Sequence, residues 1–504
     1  MDQARTNSAE PRLGLWDAVS IIVGIIIGVG IFETPHDVFS RAPGPWSALG
    51  VWAVGGVLAL IGALCFAELA SAYPRSGGEY VYLTRAFGPV AGFLFGWAQL
   101  GLIRPASIGA LAFVFAKNAA VLWGVGEGAT VLLAAGSVAL LTVINILGVT
   151  LGKNTQNLLT VAKLLGLAAI VVVGFGWGSP REIAAAAPVV GAEGWFATTM
   201  IFVLWTYAGW HEAAYIVAEV KDRHRNIPLA LIVGTAAVTV IYLAINVAFL
   251  FALGFEDARH TTVPAQMVLE LVAGRSGATV MSLLIMVSAL GAINGMIFTT
   301  ARIYTEFGAD HRLFQPLSKW SRRWGTPVRA LVTQGAISLA MVAGVSVWVH
   351  WKGAEVPTGQ IALEEDFHTT IQNTLENLWY HVSGPDVPAE AVFHKKIKDA
   401  FEKMVEVPAA VFWLFFLLTG VSLMVLRAKD PDLPRPFRVP GYPILPVVFC
   451  LWCGYMAYGS IRFKPDESLI GLAILLIGLA FYFLPKKIKR SRVKEPEPTP
   501  AGVA

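Results

Sequence analysis

The chain has 504 residues, of which 56% are hydrophobic and 14% charged, and its formal net charge is +4. So large an apolar share excludes an ordinary soluble protein and indicates a polytopic membrane protein. The positive charge forms no stripe with interleaved aromatic residues, so we expect no nucleic-acid partner.

Apolar runs long enough to cross a bilayer recur along the whole sequence. A crossing helix needs about 20 apolar residues, and the pattern predicts an all-α membrane protein with about twelve such helices. The first six lie near 14–40, 46–72, 89–118, 129–149, 157–177 and 196–219. The other six lie near 228–254, 279–306, 328–350, 407–427, 443–463 and 467–485.

Glycines interrupt the first of these spans at Gly24, Gly28 and Gly30, just before Thr34 and Pro35. Glycine weakens a helix by roughly 1 kcal/mol relative to alanine, and unsatisfied backbone groups in a membrane are tolerated only where they line a cavity. The pattern predicts an unwound segment that offers backbone groups to a polar ligand. The alternative is close helix packing, because Gly24 and Gly28 also fit the small-xxx-small spacing.

The sixth span carries a matching interruption from Trp205 to His211, where small and polar residues again occupy the middle of the membrane. Breaks at corresponding positions in two halves indicate a transporter site. Five spans lead from one break to the other, so the halves, 14–177 and 196–427, are expected to be inverted repeats, with two extra helices at 443–485. Half-helix N-termini bind anions and half-helix C-termini bind cations, which suits an α-amino acid.

Lys163 lies in the middle of the fifth span. A lysine there costs about 3 kcal/mol on insertion scales and is a functional hypothesis by default. Glu33 is interpreted as a solvated vestibule residue or a proton acceptor, and His211 as a neutral imidazole that accepts and donates hydrogen bonds and adds pH sensitivity. Glu68 is expected to pair near Arg75 or Arg85.

Three segments fall outside the predicted spans: an N-terminal segment (1–13), a polar external insertion (351–406) and a tail expected to be disordered (486–504). Because cytoplasmic loops retain Lys and Arg, both termini are expected to be cytoplasmic. The three cysteines, Cys65, Cys450 and Cys453, lie within spans, so no disulfide-linked accessory subunit is expected. The sequence also suggests no metal, no cofactor and no catalytic triad, and therefore no enzyme.

Seven segments together resemble one family of transporters. They are GIIIGVGIFETP (24–35), CFAELASAYPRSGGEYVYLT (65–84), IRPA (103–106), TVAKLLGLA (160–168), WTYAGWH (205–211), EVKDRHRNIPLAL (219–231) and NGMIFTTARI (294–303). In this order they are similar to the L-type amino acid transporters, and to bacterial members of that family, within the amino acid, polyamine and organocation superfamily. The resemblance implies a LeuT-like fold of five-plus-five inverted helices in the cell membrane.

The resemblance also implies where an amino acid would bind. The substrate carboxylate would meet the backbone N–H groups of Val29 and Gly30, and Gly28 would allow close approach. Where relatives have Ser, Ala or Thr this chain has Val29, which removes one possible hydroxyl contact but keeps the backbone contacts.

The carbonyl groups of Ile26, Trp205 and Ala208 would meet the substrate ammonium, again by resemblance. Trp205 would form an aromatic gate over the substrate, and its indole favours small or medium side chains. Lys163 would replace the sodium ion of sodium-coupled relatives.

We therefore expect sodium-independent transport of neutral L-amino acids, by exchange or facilitated diffusion, through alternating access. The alternative is proton-coupled symport, with a change of protonation at Lys163, Glu33 or His211. A further alternative is an amino acid sensor that binds its ligand without moving it.

Overall fold

The computed structural model describes residues 11–178, 195–261, 263–353 and 389–483. The first eight helices are α1 (Leu15–Ile26), α2 (Gly30–Arg41), α3 (Pro45–Ala72), α4 (Glu79–Phe87), α5 (Pro89–Ala98), α6 (Arg104–Trp123), α7 (Glu127–Ile146) and α8 (Val149–Trp177). The remaining eight are α9 (Trp195–Tyr207), α10 (Arg223–His260), α11 (Pro264–Ala273), α12 (Gly277–Asp310), α13 (Val328–Gly353), α14 (Ala389–Lys429), α15 (Ile444–Phe463) and α16 (Pro465–Phe483). A π-helix, Gln99–Ile103, joins α5 to α6, and 3₁₀-helices at Trp210–Tyr215 and Val217–Glu219 follow α9.

The predicted all-α membrane architecture is confirmed. Ten helical segments of the described chain are long and apolar enough to cross a membrane, or eleven when α1 and α2, which meet at an angle of 48°, count as one broken span. The predicted span 196–219 consists of α9 and the two short 3₁₀-helices. It contains no straight helix of crossing length, so the count of twelve stays a prediction.

Proline and glycine set several of the helix ends. Pro45, Pro89 and Pro264 each stand in the first turn of a helix, where the missing N–H group is not needed. Gly124 ends α6 with a positive φ of 64°, the left-handed conformation that glycine adopts without steric cost. The ends of the spans are thus set largely by local sequence.

Helix α1 lies at the centre of the bundle, where it contacts α8, α10 and α12 and the 3₁₀-helix Trp210–Tyr215. Helix α2 packs against α9 and α10. Since the first span breaks between α1 and α2 and the sixth breaks after α9, this packing brings the two interruptions together in the protein interior.

The prediction that Glu68 pairs with Arg75 or Arg85 is wrong. Its carboxylate receives Arg427 at 2.5 Å and Arg435 at 3.4 Å, and also the backbone N–H of Val439 at 2.7 Å. Arg75 instead pairs with Glu306, and Arg85 pairs with Asp430. The end of α14 and the segment after it fold back onto the end of α3, and these contacts join residues more than 350 positions apart.

Two of the predicted segments are only partly described. Residues 1–10, 354–388 and 484–504 lie outside the described chain. The whole of the expected disordered tail, 486–504, is among them. The last part of the proposed insertion, residues 389–406, forms the first turns of α14 and is continuous with the span that follows.

Candidate functional site

The first break is a tight backbone turn between α1 and α2. Ile27 has φ −72° and ψ 71°, the conformation at the centre of an inverse γ-turn, and the N–H of Gly28 donates to the carbonyl of Ile26 at 2.7 Å. Val29 caps α2 and Gly30 is its first residue, positions whose N–H groups have no acceptor within the helix. The break therefore presents N–H groups at the start of α2 and carbonyl groups at the end of α1.

Lys163 reaches this break from α8. Its Nζ donates to the carbonyl oxygens of Gly24 and Ile27, each at 2.8 Å, and to that of Ser288 at 3.1 Å. The side chain is fully buried, and these contacts use all three of its donors. One ammonium thus ties together α1, α8 and α12.

Sequence reasoning missed Ser288. Its hydroxyl lies 2.9 Å from the carbonyl oxygens of both Ile27 and Gly28, so α12 supports the same turn from another side. A serine in mid-span is the only signal the sequence offers. Such residues usually bond back to their own helix, and therefore the pattern alone does not single this one out.

The second break follows α9. Gly209 has φ 116°, and a Cβ at that position would lie 2.8 Å from a side-chain carbon of Ile25 and 3.2 Å from the backbone nitrogen of Ile26. Only glycine fits both the left-handed backbone and this close approach. The N–H of Ala208 donates to the carbonyl of Trp205 at 3.1 Å, which ends α9 in a tight turn against α1.

Tyr242 bridges the two breaks and was also missed. Its hydroxyl lies 2.8 Å from the carbonyl oxygen of Ile26 and 3.2 Å from that of Thr206. A hydroxyl has one proton to donate, so it serves one carbonyl at a time. With the Gly28 N–H also bonded to it, the Ile26 carbonyl has two donors, with which a ligand ammonium at this oxygen would compete.

Trp205 lies directly over the start of α2. A Cβ on Gly30 would lie 3.1 Å from its six-membered ring and 2.8 Å from the hydroxyl oxygen of Thr206. That hydroxyl also lies 2.8 Å from the hydroxyl of Thr34, and the Trp205 ring meets Phe401 edge to face, with 5.9 Å between ring centroids. The indole therefore packs against the start of α2.

The other predicted site residues have different surroundings. Glu33 is exposed on α2. Ala208 lines an apolar cleft with Leu204 and Trp210 of its own span and with aromatic residues of α14 and α15. His211 is buried among aromatic rings, and neither ring nitrogen has a hydrogen-bond partner in the described chain. The hydrogen bonds expected of His211 are not formed.

Two buried ion pairs flank the sixth span beyond its break. Arg104 contacts Glu212 at 2.5 Å, and Arg302 contacts Glu219 at 2.6 Å. All four side chains are at most 4% exposed. Among the described residues, no group of His, Cys, Asp and Glu has the arrangement of a metal site.

The amino acid permease family model matches residues 13–480. The chain is 31% identical over 494 residues to the human b(0,+)-type amino acid transporter 1, covering 96% of this chain and 89% of the relative. It is 28% identical to the serine/threonine exchanger SteT of Bacillus subtilis, covering 96% and 99% of the two chains. Identity to the human large neutral amino acids transporter small subunit 2 is also 28%, over 94% of this chain and 80% of that one.

The fold resembles that of Mhp1, a nucleobase-cation-symport-1 family transporter, in a closed conformation. The TM-score is 0.52 at 16% sequence identity, and the superposition covers 95% of this chain and 94% of Mhp1. The likeness supports the LeuT-like architecture, and the sequence relatives confirm the resemblance to L-type transporters. The chain belongs to the amino acid permease family of membrane transporters.

Proposed function

We propose that this protein moves neutral L-amino acids across the cell membrane without sodium, by exchange through alternating access. The observation that most supports this is the ammonium of Lys163, held by carbonyl oxygens at 2.8 Å, 2.8 Å and 3.1 Å beside the first break. A fixed cation at unwound backbone meets the same carbonyl oxygens that would otherwise coordinate a sodium ion.

The two breaks suit a zwitterion whose charges lie on adjacent atoms. The N-terminus of α2, at Val29 and Gly30, is positioned to bind the carboxylate, since helix N-termini attract anions. The carbonyl groups of Ile26, Trp205 and Ala208 are the acceptors for the ammonium. Binding at Ile26 replaces the Tyr242 hydroxyl or the Gly28 N–H, so substrate binding is coupled to rearrangement of the turn.

The name of the Bacillus subtilis relative, a serine/threonine exchanger, favours exchange over net uptake. The name of the human relative, a large neutral amino acids transporter small subunit, favours neutral substrates. The second name describes a small subunit. All three cysteines of this chain lie within helices α3 and α15, so we propose that it works without a disulfide-linked partner. We also propose that both termini are cytoplasmic, because that orientation places most loop Lys and Arg residues in the cytoplasm.

Proton-coupled symport is the second candidate. It is favoured by the partners of Lys163, which are all neutral carbonyl groups. Release of a proton from this ammonium would remove a donor from these carbonyl groups and so loosen α1 from α8 and α12.

Counterflow into proteoliposomes tests these proposals. We expect labelled L-serine or L-leucine to accumulate against unlabelled internal amino acid, at the same rate with sodium or choline outside. Lys163→Ala should abolish this flux, whereas Lys153→Ala, on the same helix, should retain it. Sodium-dependent uptake would contradict the proposal, and accumulation driven by a pH gradient alone would favour symport.

A further inference from the structure

A buried group of polar side chains lies between α4, the third span, the 3₁₀-helix Trp210–Tyr215 and α12. Arg104 donates to one oxygen of Glu212 at 2.5 Å, and the hydroxyl of Thr299 donates to the other at 2.6 Å. Arg104 also donates to the side-chain oxygen of Gln99 at 2.9 Å. Glu212 is therefore paired at both oxygens, and the charge of Arg104 is matched.

Glu79 is a second carboxylate in the same place. Its side chain is fully buried, and one of its oxygens accepts the hydroxyl of Tyr215 at 2.9 Å. The other, Oε2, has no hydrogen-bond partner in the described chain. Arg104 therefore pairs directly with Glu212 and reaches Glu79 only through the Tyr215 hydroxyl, to which it donates at 3.3 Å. Arg75 and Arg302 are bound to other glutamates.

Among the described residues, Arg104 is the one positively charged side chain that acts on Glu79. The other titratable groups that face it are Tyr82 on its own helix and Tyr215 and Glu212 on the 3₁₀-helix, and His211 borders Glu212 at 3.6 Å. The hydroxyl of Tyr82, three residues along α4, also lacks a partner among the described residues. Tyr82 lies three residues from Glu79 and so on the same face of the helix, but its hydroxyl forms no hydrogen bond with Oε2.

Electrostatics decides the state of this carboxyl group. An ionised carboxylate that is buried without a direct counterion is strongly destabilised, and such groups bind a proton instead. Burial raises the pKa of Glu79 to about 8. A neutral carboxylic acid leaves only one hydrogen bond unformed, which costs far less than an unpaired charge.

We propose that Glu79 is a proton-binding site linked to opening of the membrane face that contains α4. While this face is closed, the carboxyl group holds its proton. When α4 moves away from the 3₁₀-helix, water reaches Oε2, and the proton passes from it to that water. The proposal rests on the proposed transport function only for the assumption that the face opens.

The direction of the pH effect follows from the two states. A hydrated glutamic acid titrates near its ordinary pKa of about 4.3, whereas the closed state keeps its proton to a higher pH. At pH values between the pKa of the open form and that of the closed form, the open form binds fewer protons. Raising the pH there increases the ratio of open to closed protein, by up to about tenfold per pH unit for one proton.

Spin labels on Phe87→Cys and Lys221→Cys report this opening, because both positions are exposed at the α4 face and lie on α4 and just beyond the second 3₁₀-helix. Pulsed electron resonance gives the ratio of long to short distances. We expect that ratio to rise with pH between about 5 and 8, and to be independent of pH in Glu79→Gln, which mimics the protonated acid.

Two further variants complete the test. Glu306→Gln, at a carboxylate already paired with Arg75, should keep the wild-type slope. Tyr215→Phe removes the hydroxyl that stabilises ionised Glu79, so the transition should move to higher pH even if Glu79→Gln fails to fold. The proposal is overturned if the ratio of long to short distances does not change with pH in the wild type. It is also overturned if that ratio still rises with pH in Glu79→Gln. Loss of counterflow together with a Glu79-dependent ratio would instead refute only the proposed transport function.

Discussion

The Nζ atom of Lys163 lies 2.8 Å from the carbonyl oxygen of Ile27, the residue at which the first membrane helix turns. The same carbonyl accepts the hydroxyl of Ser288 at 2.9 Å. Two donors from two different helices thus hold one peptide group of the break. Any movement of α1 during transport has to break, or carry along, these two hydrogen bonds.

Gly291 tests the position of this ammonium without removing it. A Cβ at residue 291 would lie 2.7 Å from Nζ of Lys163, closer than side-chain carbons are found. We expect Gly291→Ala to displace the amine and to lower the exchange rate at least about tenfold, the effect of 1.4 kcal/mol. Counterflow measures it. Gly50→Ala, where the added carbon meets nothing within 4 Å, should behave as wild type, and equal rates in the two variants would count against a role for Lys163.

Tyr242→Phe removes the hydroxyl between the Ile26 and Thr206 carbonyls. The hydroxyl donates to one of these carbonyls at a time, so the substitution removes one buried hydrogen bond, at a cost of about 1–3 kcal/mol, and we expect exchange to slow by about five- to a hundredfold while the protein still folds. The maximal rate at saturating substrate should fall, whereas the apparent affinity should change less. The reason is that the Ile26 carbonyl becomes more accessible to the substrate ammonium. Unchanged kinetics would show that the bridge is incidental.

Gly30→Ala places a carbon 2.8 Å from the Thr206 hydroxyl and 3.1 Å from the Trp205 ring. We expect the indole to be pushed off the first break, which weakens closure over the substrate. The KM for amino acid should rise about tenfold or more, with a smaller effect on kcat. Concentration-dependent counterflow separates the two constants, and a normal KM would contradict the proposed gate.

Glu68→Ala tests the contact between α3 and the segment after α14. It leaves Arg427 and Arg435 without their buried partner, and removal of one member of a buried pair costs about 3–5 kcal/mol. The thermal midpoint in detergent should fall clearly. Asp37→Ala, in the exposed pair with Arg41, should change stability by at most about 1 kcal/mol. Similar midpoints for both variants would argue against this contact.

The ion pair of Asp430 with Arg85 should make the stability of the protein depend on pH. The hydrogen bond from Arg85 keeps the pKa of Asp430 below its ordinary value, with a further hydrogen bond from Tyr73. Because the folded pKa is the lower one, the stabilisation is complete above the unfolded pKa and is lost as the pH falls through the folded pKa. Asp430→Asn should therefore lower the thermal midpoint at pH 6 to 8 and converge with wild type in acid. A constant difference at every pH would contradict this.

Much of the architecture was predictable because its causes are local. Predicted and observed ends of the second span, 46–72 and Pro45–Ala72, differ by one residue. Gly28 and Gly209 marked the two breaks because a helix that contains unwound backbone needs residues with few steric limits. Lys163 was identifiable because a mid-membrane charge is rare.

Other parts were not predictable for an equally physical reason. Glu68 was assigned arginines close to it in sequence, whereas its partners come from a segment more than 350 residues away. Ser288 and Tyr242 have no local signal that separates them from ordinary membrane serines and tyrosines. His211 was expected to make hydrogen bonds, but within the described chain its nitrogens have no hydrogen-bond partner. Aromatic rings surround it, and Oε1 of Glu212 lies 3.6 Å from Nε2, beyond hydrogen-bond distance.

Local sequence is enough to predict a helical membrane protein with two interrupted spans and one buried lysine, because bilayer thickness and helix geometry act on consecutive residues. Which atoms meet at the breaks is set by tertiary contacts. The carbonyl groups bound by Lys163, the bridge made by Tyr242 and the ion pair of Arg104 with Glu212 each join residues from separate helices. Such contacts depend on how helices pack, which local periodicity does not encode.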